Sequence, residues 1–397
     1  MKHSGRARTV RLSTTLAIDE KARALTAQGV KLWNFGAGQP DFPTPAHIAE
    51  AGVWAIHEGK TVYTSPQGTL ALRQAICRKL EVENGLHYAP DEVIVSAGAK
   101  QALYLALATL VDPGDEVLVP SPYWVSYPEM IRLCDGVPRF LPTSEATSFK
   151  VTPEQVAAAV GPRTVGLILN TPSNPTGTVY TRAELEALDA VVAERQLHLI
   201  TDEIYERLLY DGAVHVSPAA VSPSLRGRTA VVNGVSKAYS MTGWRIGYLA
   251  APRDWTGPAI AMQSHLTGNA CSISQEASVA ALSGSDESIR EMGRIFAARR
   301  SRVLSLLAEA PELAVSPPLG AFYAFPDFSA YYGRSTGGRT VAGSTQMAEY
   351  LIDEAHVVLV PGDAFGSDRH LRISFAVSDA VIEEGLRSMV AALGRLH

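Results

Sequence analysis

Short β-rich apolar runs alternate with helix-like stretches from about residue 90 to 250, and this alternation restricts the possible folds more than any other feature of the chain. EVIVSAG (92–98) precedes the helical KQALYLALATL; the turn DPGD leads into EVLVPS (116–121), and a helix is predicted from Tyr123 to Leu133. In TPEQVAAAV, Thr152 is placed as an N-cap, with Pro153 at the first helical position and Gln155 closing a capping box. TVGLILN (164–170) is followed by the turn-rich TPSNPTG and by a helix in which Thr181 and Glu184 repeat the capping signal. LHLITDE (197–203) and TAVVNGVS (229–236) read as two more buried strands. Strands alternating with helices predict βαβ units, and so an α/β fold whose large domain is a mostly parallel sheet covered by helices.

The texture changes after residue 285. A long basic helical stretch, SIREMGRIFAARRSRVLSLLAEA, runs into PPLG and the apolar GAFYAF. A Gly/Ser-rich loop, a helix near 345–355, VVLVPG, HLRISFAV and a last helix follow, which suggests a smaller α+β domain. The expected division is a large domain over 46–285 and a small C-terminal domain over 286–397. Residues 1–45 are then an N-terminal arm and part of the small domain.

Composition excludes several classes of function. Of 397 residues, 46% are hydrophobic and 19% charged, as expected for a folded chain with a large core, so disorder is a poor reading of the whole. The net charge of −5 gives no reason to expect nucleic acid, although a local pocket can still be basic. Cys77, Cys134 and Cys271 lie far apart without a CxxC pair, which argues against disulfides and thiolate metal sites; each is expected to be a small buried side chain. The ten histidines show no clustered ligand spacing, so no metal is expected. The opening MKHSGRARTVRLSTT lacks an apolar core and reads as a frayed terminus, and no apolar run reaches membrane-spanning length. A cytoplasmic location without a membrane partner is the expectation.

In parallel sheets of this kind, ligands bind beyond the carboxyl ends of the strands. The polar residues of interest fall there: Ala99 and Lys100, Asn174, Asp202 with Tyr205, and Ser236 with Lys237. A carboxylate ending a buried strand is costly unless paired, so Asp202 is either a binding group or the N-cap of a helix over EIYERLL. An arginine inside the apolar run LRISFA, Arg372, likewise needs a partner. There is no GxxxxGK[ST], HExxH or GxSxG, and GAGQPD lacks the dinucleotide-binding spacing.

GAGQPDF (36–42), VYTSPQG (62–68), SAGAKQAL (96–103), SPYWVSYPEM (121–130), NTPSNPTG (170–177), TDEIYE (201–206), SKAYSMTGWRIG (236–247), GAFYAF (320–325), PGDAFG (361–366) and LRISFA (371–376) remain. Together and in this order they resemble the class I aminotransferases of PLP fold type I, and most closely the bacterial aspartate aminotransferase branch. The resemblance implies pyridoxal 5'-phosphate held by Lys237, whose amine condenses with the aldehyde and then serves as acid and base. It implies Asp202 at the pyridine nitrogen, with Tyr205 and Asn174 at the ring's phenolic oxygen. Trp124 would stack on the ring. Ala99 and Lys100, at a helix start, and Arg245 would take the phosphate. Many relatives carry a phosphate-binding serine three residues before the lysine; here Gly234 stands there, and Ser236 supplies the nearest hydroxyl. Tyr127 stands where the better-known aspartate enzymes have a histidine behind the aspartate, and is a candidate to orient Asp202.

For substrate, the resemblance implies Arg372 as the α-carboxylate clamp, with Gly38, Trp124 and Asn174 nearby. Lys100 is a candidate for the distal carboxylate of a dicarboxylic substrate, or serves the phosphate alone. Tyr63 resembles a residue that reaches the neighbouring subunit's cofactor, which implies a homodimer with shared active sites. The implied reaction is ping-pong transfer between small-molecule amino acids and 2-oxo acids, aspartate with 2-oxoglutarate first. Three alternatives stay open: an aromatic- or prephenate-accepting aminotransferase, a C–S β-lyase on the same fold, and a non-catalytic PLP-sensing regulatory protein.

Overall fold

The computed structural model describes residues 2–10 and 15–397. Seven strands form the central sheet: β1 (Val93–Ser96), β2 (Glu116–Ser121), β3 (Val137–Pro142), β4 (Thr164–Asn170), β5 (His198–Asp202), β6 (Thr229–Gly234) and β7 (Gly247–Ala250). Their order is β1-β7-β6-β5-β4-β2-β3. Every pairing from β6 through β3 is parallel, and β7 alone runs antiparallel to both its neighbours. β1, β6 and β7 are buried throughout, as strands covered on both faces must be.

The local signals hold. Thr152 with Gln155 and Thr181 with Glu184 both form complete capping boxes. The helix expected from Tyr123 begins only at Ser126, because Tyr123 N donates to Phe365 O at 3.0 Å and pulls the chain off a helical path. No helix follows Asp202. The chain runs on in turns, which removes the N-cap alternative for this residue.

In the C-terminal part, β8 (Tyr323–Ala324), β9 (Val360–Pro361) and β10 (Leu371–Ser374) form an antiparallel sheet in the order β9-β10-β8. The helices Glu287–Leu307, Ser344–Ala355 and Asp379–Leu393 share one apolar core with it. Ala22 and Phe35 join that core, and Trp33–Asn34 pair in parallel with Val357–Val358. The central sheet has separate apolar clusters on its faces.

Two expectations are corrected. Residues Gly5–Thr9 form a short helix capped by Ser4 and tied by Arg6 to Asp135 at 2.5 Å, so this stretch is not frayed; Met1 and residues 11–14 lie outside the described residues. Cys271, just before the helix Ser272–Ser283, is exposed, and Cys77 and Cys134 are half-buried, so none of the three is the fully buried side chain expected. Among the described residues, no helix is long and apolar enough to cross a membrane.

Candidate active site

A cavity of about 400 Å³ lies beyond the carboxyl ends of β1, β4, β5 and β6. Every residue given a cofactor or substrate role from the sequence lines it except Tyr63, which is 96% exposed.

One wall is the start of the helix Ala99–Leu110. Its N-cap, Gly98, has φ +86°, and a Cβ there would lie 2.3 Å from Arg245 Nη2. Gly247 opens β7 against the same turn, where a Cβ would meet Ala99 N at 2.2 Å. These two glycines let the antiparallel strand bring Arg245 over a helix N-terminus whose first N–H groups have no intrahelical acceptor. The result is a cradle of donors and positive charge. Lys100 leans over the Trp124 ring, 4.9 Å from its centroid, and burial followed by the nearby Arg245 lowers its pKa.

The floor is the end of β5. Asp202 is buried beside Asn170 in register, its Oδ2 accepting from Tyr127 OH at 2.8 Å and its Oδ1 from Ile204 N at 3.3 Å. Burial pushes this carboxyl up to about 6 despite those donors. Tyr127 therefore orients Asp202 as the sequence suggested. Lys237 Nζ donates to Gly38 O at 2.6 Å, and burial, then Arg372 and Arg245, bring its pKa down to about 8. Ser236 is buried beside it on the cavity wall.

The far wall comes from β10. Arg372 Nη1 donates to Asn174 Oδ1 at 3.0 Å and Nη2 to Gly36 O at 2.9 Å, while its Nε is buried without a partner among the described residues. Asn174 N in turn donates to Asn170 Oδ1 at 2.7 Å, which fixes the NTPSNPTG loop. Lys100, Lys237, Arg245 and Arg372 thus share a small cavity with one carboxylate, Asp202. Such a site suits a guest carrying several negative charges. Sequence reasoning did not assign Tyr323 or Phe365, which also line it. Both sit in quoted motifs, GAFYAF and PGDAFG, and that was the available signal.

The family model described as aminotransferase class I and II matches residues 30–389. The chain belongs to this family. This aminotransferase is 44% identical, over the whole of its length and 98% of the relative's, to the aspartate aminotransferase of Geobacillus stearothermophilus. It is 46% identical to the aspartate/prephenate aminotransferase of Cereibacter sphaeroides, over 94% of each chain. Among solved structures, the aspartate aminotransferase of Rhizobium meliloti matches with a TM-score of 0.98 and 41% identity, covering all of both chains. The fold is PLP fold type I and the cofactor is pyridoxal 5'-phosphate.

The cavity fits that cofactor on its own chemistry. An anion cradle, a buried carboxylate and an amine of lowered pKa line the same cavity.

Proposed function

We propose that this aminotransferase moves the amino group of a dicarboxylic L-amino acid, aspartate foremost, to 2-oxoglutarate. The observation that carries this reading is the excess of cations over carboxylates in the cavity, with Arg372 and Lys100 both present beyond what a phosphate needs. The names of the Geobacillus and Rhizobium relatives support aspartate as donor, and that of the Cereibacter relative keeps prephenate as a second substrate to test.

The N–H groups of Ala99 and Lys100, Arg245 and Ser236 would hold the phosphate, Asp202 the pyridine nitrogen, and Tyr205 and Asn174 the ring oxygen, with Trp124 against the ring face. When bound, the cofactor supplies an electrophilic aldehyde and a ring that accepts the electron pair left by a departing α-proton. Lys237, with a pKa near 8, has a free-amine fraction at neutral pH, so its Nζ can take the α-proton and return it. The hydrogen bond from Tyr127 favours the charged form of Asp202, which would pair with the pyridine nitrogen. Arg372 engages the carbonyl end of Asn174, so the donor end of that amide serves the ring oxygen. Arg372 orients the substrate α-carboxylate, with Gly38 close enough for backbone contact, and Lys100 takes the distal carboxylate.

We further read the chain as the two domains expected from sequence, 46–285 and 286–397 with 1–45 joined to the second. The core that unites Ala22 and Phe35 with the C-terminal helices supports this. Tyr63 belongs to a homodimer interface in this reading. Val53, Trp54, Ile56, Val62 and Leu70 are exposed in the same stretch, and such a concentration of apolar surface calls for a cover.

Borohydride reduction of the loaded enzyme should fix the cofactor to Lys237, and label on another lysine would refute that role. A donor panel of aspartate, phenylalanine, tyrosine and glutamate (with prephenate as acceptor) should rank the dicarboxylates first. Oxo-acid formation dependent on 2-oxoglutarate separates transamination from β-elimination. Mixing Lys237→Ala with Tyr63→Phe subunits should create hybrids with one intact site; no gain over the parent homodimers would count against shared sites.

A further inference from the structure

We propose that Tyr323 is a positioning residue that sets the direction of the Tyr205 hydroxyl while supporting Arg372, so that one side chain links the ring-oxygen contact to the carboxylate clamp. This rests on the reading of Tyr205 as the residue facing the cofactor's ring oxygen.

Tyr323 lies on β8, where it pairs with Ser374, two residues beyond Arg372 on β10. It is fully buried, and its hydroxyl stands 3.0 Å from Tyr205 OH. Among the described residues, Tyr205 is the only hydrogen-bond partner of that hydroxyl. The Tyr323 ring lies 4.4 Å from the Arg372 guanidinium, and Phe365 lies 5.1 Å from the same group. Two hydrogen bonds, to Asn174 and Gly36, hold Arg372 at its edges, and the aromatic faces hold its plane.

The direction of the hydroxyl pair follows from counting hydrogens. Tyr205 has one O–H to give. If it gives that hydrogen to an anionic ring oxygen, it can meet Tyr323 only as acceptor, and Tyr323 must donate. A donor feeding a donor polarises the second O–H and strengthens it. The cation over the Tyr323 ring acts in the same sense, since it draws electron density from the phenol. Without the Tyr323 hydroxyl, Tyr205 keeps its place but loses this support. With no ring at all, Arg372 also loses a face.

The experiment separates these two parts. The pH midpoint of the bound cofactor's visible absorbance is measured in wild type, Tyr205→Phe, Tyr323→Phe and the double variant, alongside KM for aspartate and Kd for succinate. A weaker donor leaves more negative charge on the ring oxygen, which then favours a proton on the nitrogen joined to Lys237. Tyr323→Phe should therefore raise the midpoint by about 0.3–1 pH unit, the scale of one neutral hydrogen bond. The shift should vanish in the Tyr205→Phe background, because Tyr323 acts through Tyr205. KM and Kd should change less than about twofold in Tyr323→Phe, which keeps the ring. They should rise roughly fivefold to thirtyfold in Tyr323→Leu, the scale of a desolvated cation–π contact. An unmoved midpoint in Tyr323→Phe, an undiminished shift in the double variant, or unchanged succinate affinity in Tyr323→Leu would overturn the proposal. If Tyr205→Phe itself leaves the midpoint unmoved, the reading of Tyr205 and the inference fall together.

Discussion

Two carboxylates one turn apart, Asp202 and Glu206, are both buried near the end of the same strand, yet their surroundings are opposite in kind. Glu206 is fully partnered by the protein: Lys79 binds it directly, Asn233 Nδ2 donates to Oε1 at 2.6 Å, and Asn84 Nδ2 donates to Oε2 at 2.8 Å. Burial by itself would raise its pKa, but Lys79 and then His215 hold it down to about 2. The neighbouring Glu203 is matched in the same way, by His215 at 2.9 Å and Ser217 at 2.7 Å. Asp202 has a tyrosine hydroxyl and one long backbone contact, and stands at about 6. Asp202, the last residue of β5, faces the cavity, whereas Glu203, just past the strand end, meets His215 and Ser217, so the two charges enter different environments. A buried charge that the chain neutralises by itself is structural. One left short of a counter-charge beside a cavity is kept for a guest.

The largest effect tests the guest side. Lys237→Ala should lower kcat by about four orders of magnitude or more, since both covalent attachment and proton transfer are lost. Asp202→Asn should cost about two to three orders of magnitude in kcat through the lost counter-charge, with the unfolding midpoint preserved or raised. Near-normal turnover in Asp202→Asn would erase the distinction drawn between the two carboxylates.

Glu206→Gln should do the reverse. Removing one partner of a buried ion pair costs about 3 kcal/mol or more in unfolding free energy, while turnover per folded subunit should hold. Urea denaturation and active-site titration measure the two quantities separately. A catalytic loss without a stability loss would place Glu206 in the active-site machinery.

Lys100→Ala sharpens the comparison within the cavity. A charged hydrogen bond contributes roughly 1.5–3 kcal/mol, so kcat/KM for aspartate should fall by about one to two decades. Phenylalanine should be nearly unaffected. Equal losses for both donors would assign Lys100 to the phosphate and leave dicarboxylate preference without a residue.

The smallest effect is in pH dependence, where the two carboxylates have opposite signs. Glu206 binds fewer protons folded than unfolded between about 2 and its ordinary 4.5, so its stabilisation is complete above that window and is lost as pH falls through it. Asp202 binds more protons folded than unfolded between its ordinary 3.8 and about 6, so in the cofactor-free protein its contribution declines as pH rises through that window. Thermal melts of the cofactor-free protein from pH 4 to 6 should show wild type losing stability relative to Asp202→Asn as pH rises. Identical profiles would mean that Asp202 does not titrate in that range.

What the sequence determined by itself was local or motif-borne. The capping boxes at Thr152 and Thr181, the strands ending at Asn170 and Asp202, and the identity of Lys237, Arg245 and Arg372 as cavity residues were all legible. Each depends on a few consecutive residues or on a motif whose order along the chain is preserved. Tertiary structure alone decided the antiparallel turn of β7 that carries Arg245 to Gly98, the late start of the helix that leaves Trp124 on the cavity wall, and the meeting of Tyr205 with Tyr323. It also decided which acid was neutralised, since Lys79 and Glu206 are 127 residues apart. Hydrogen bonding and desolvation act over a few ångströms in space. The identity of a partner so distant in sequence is settled only when the chain has closed around both groups.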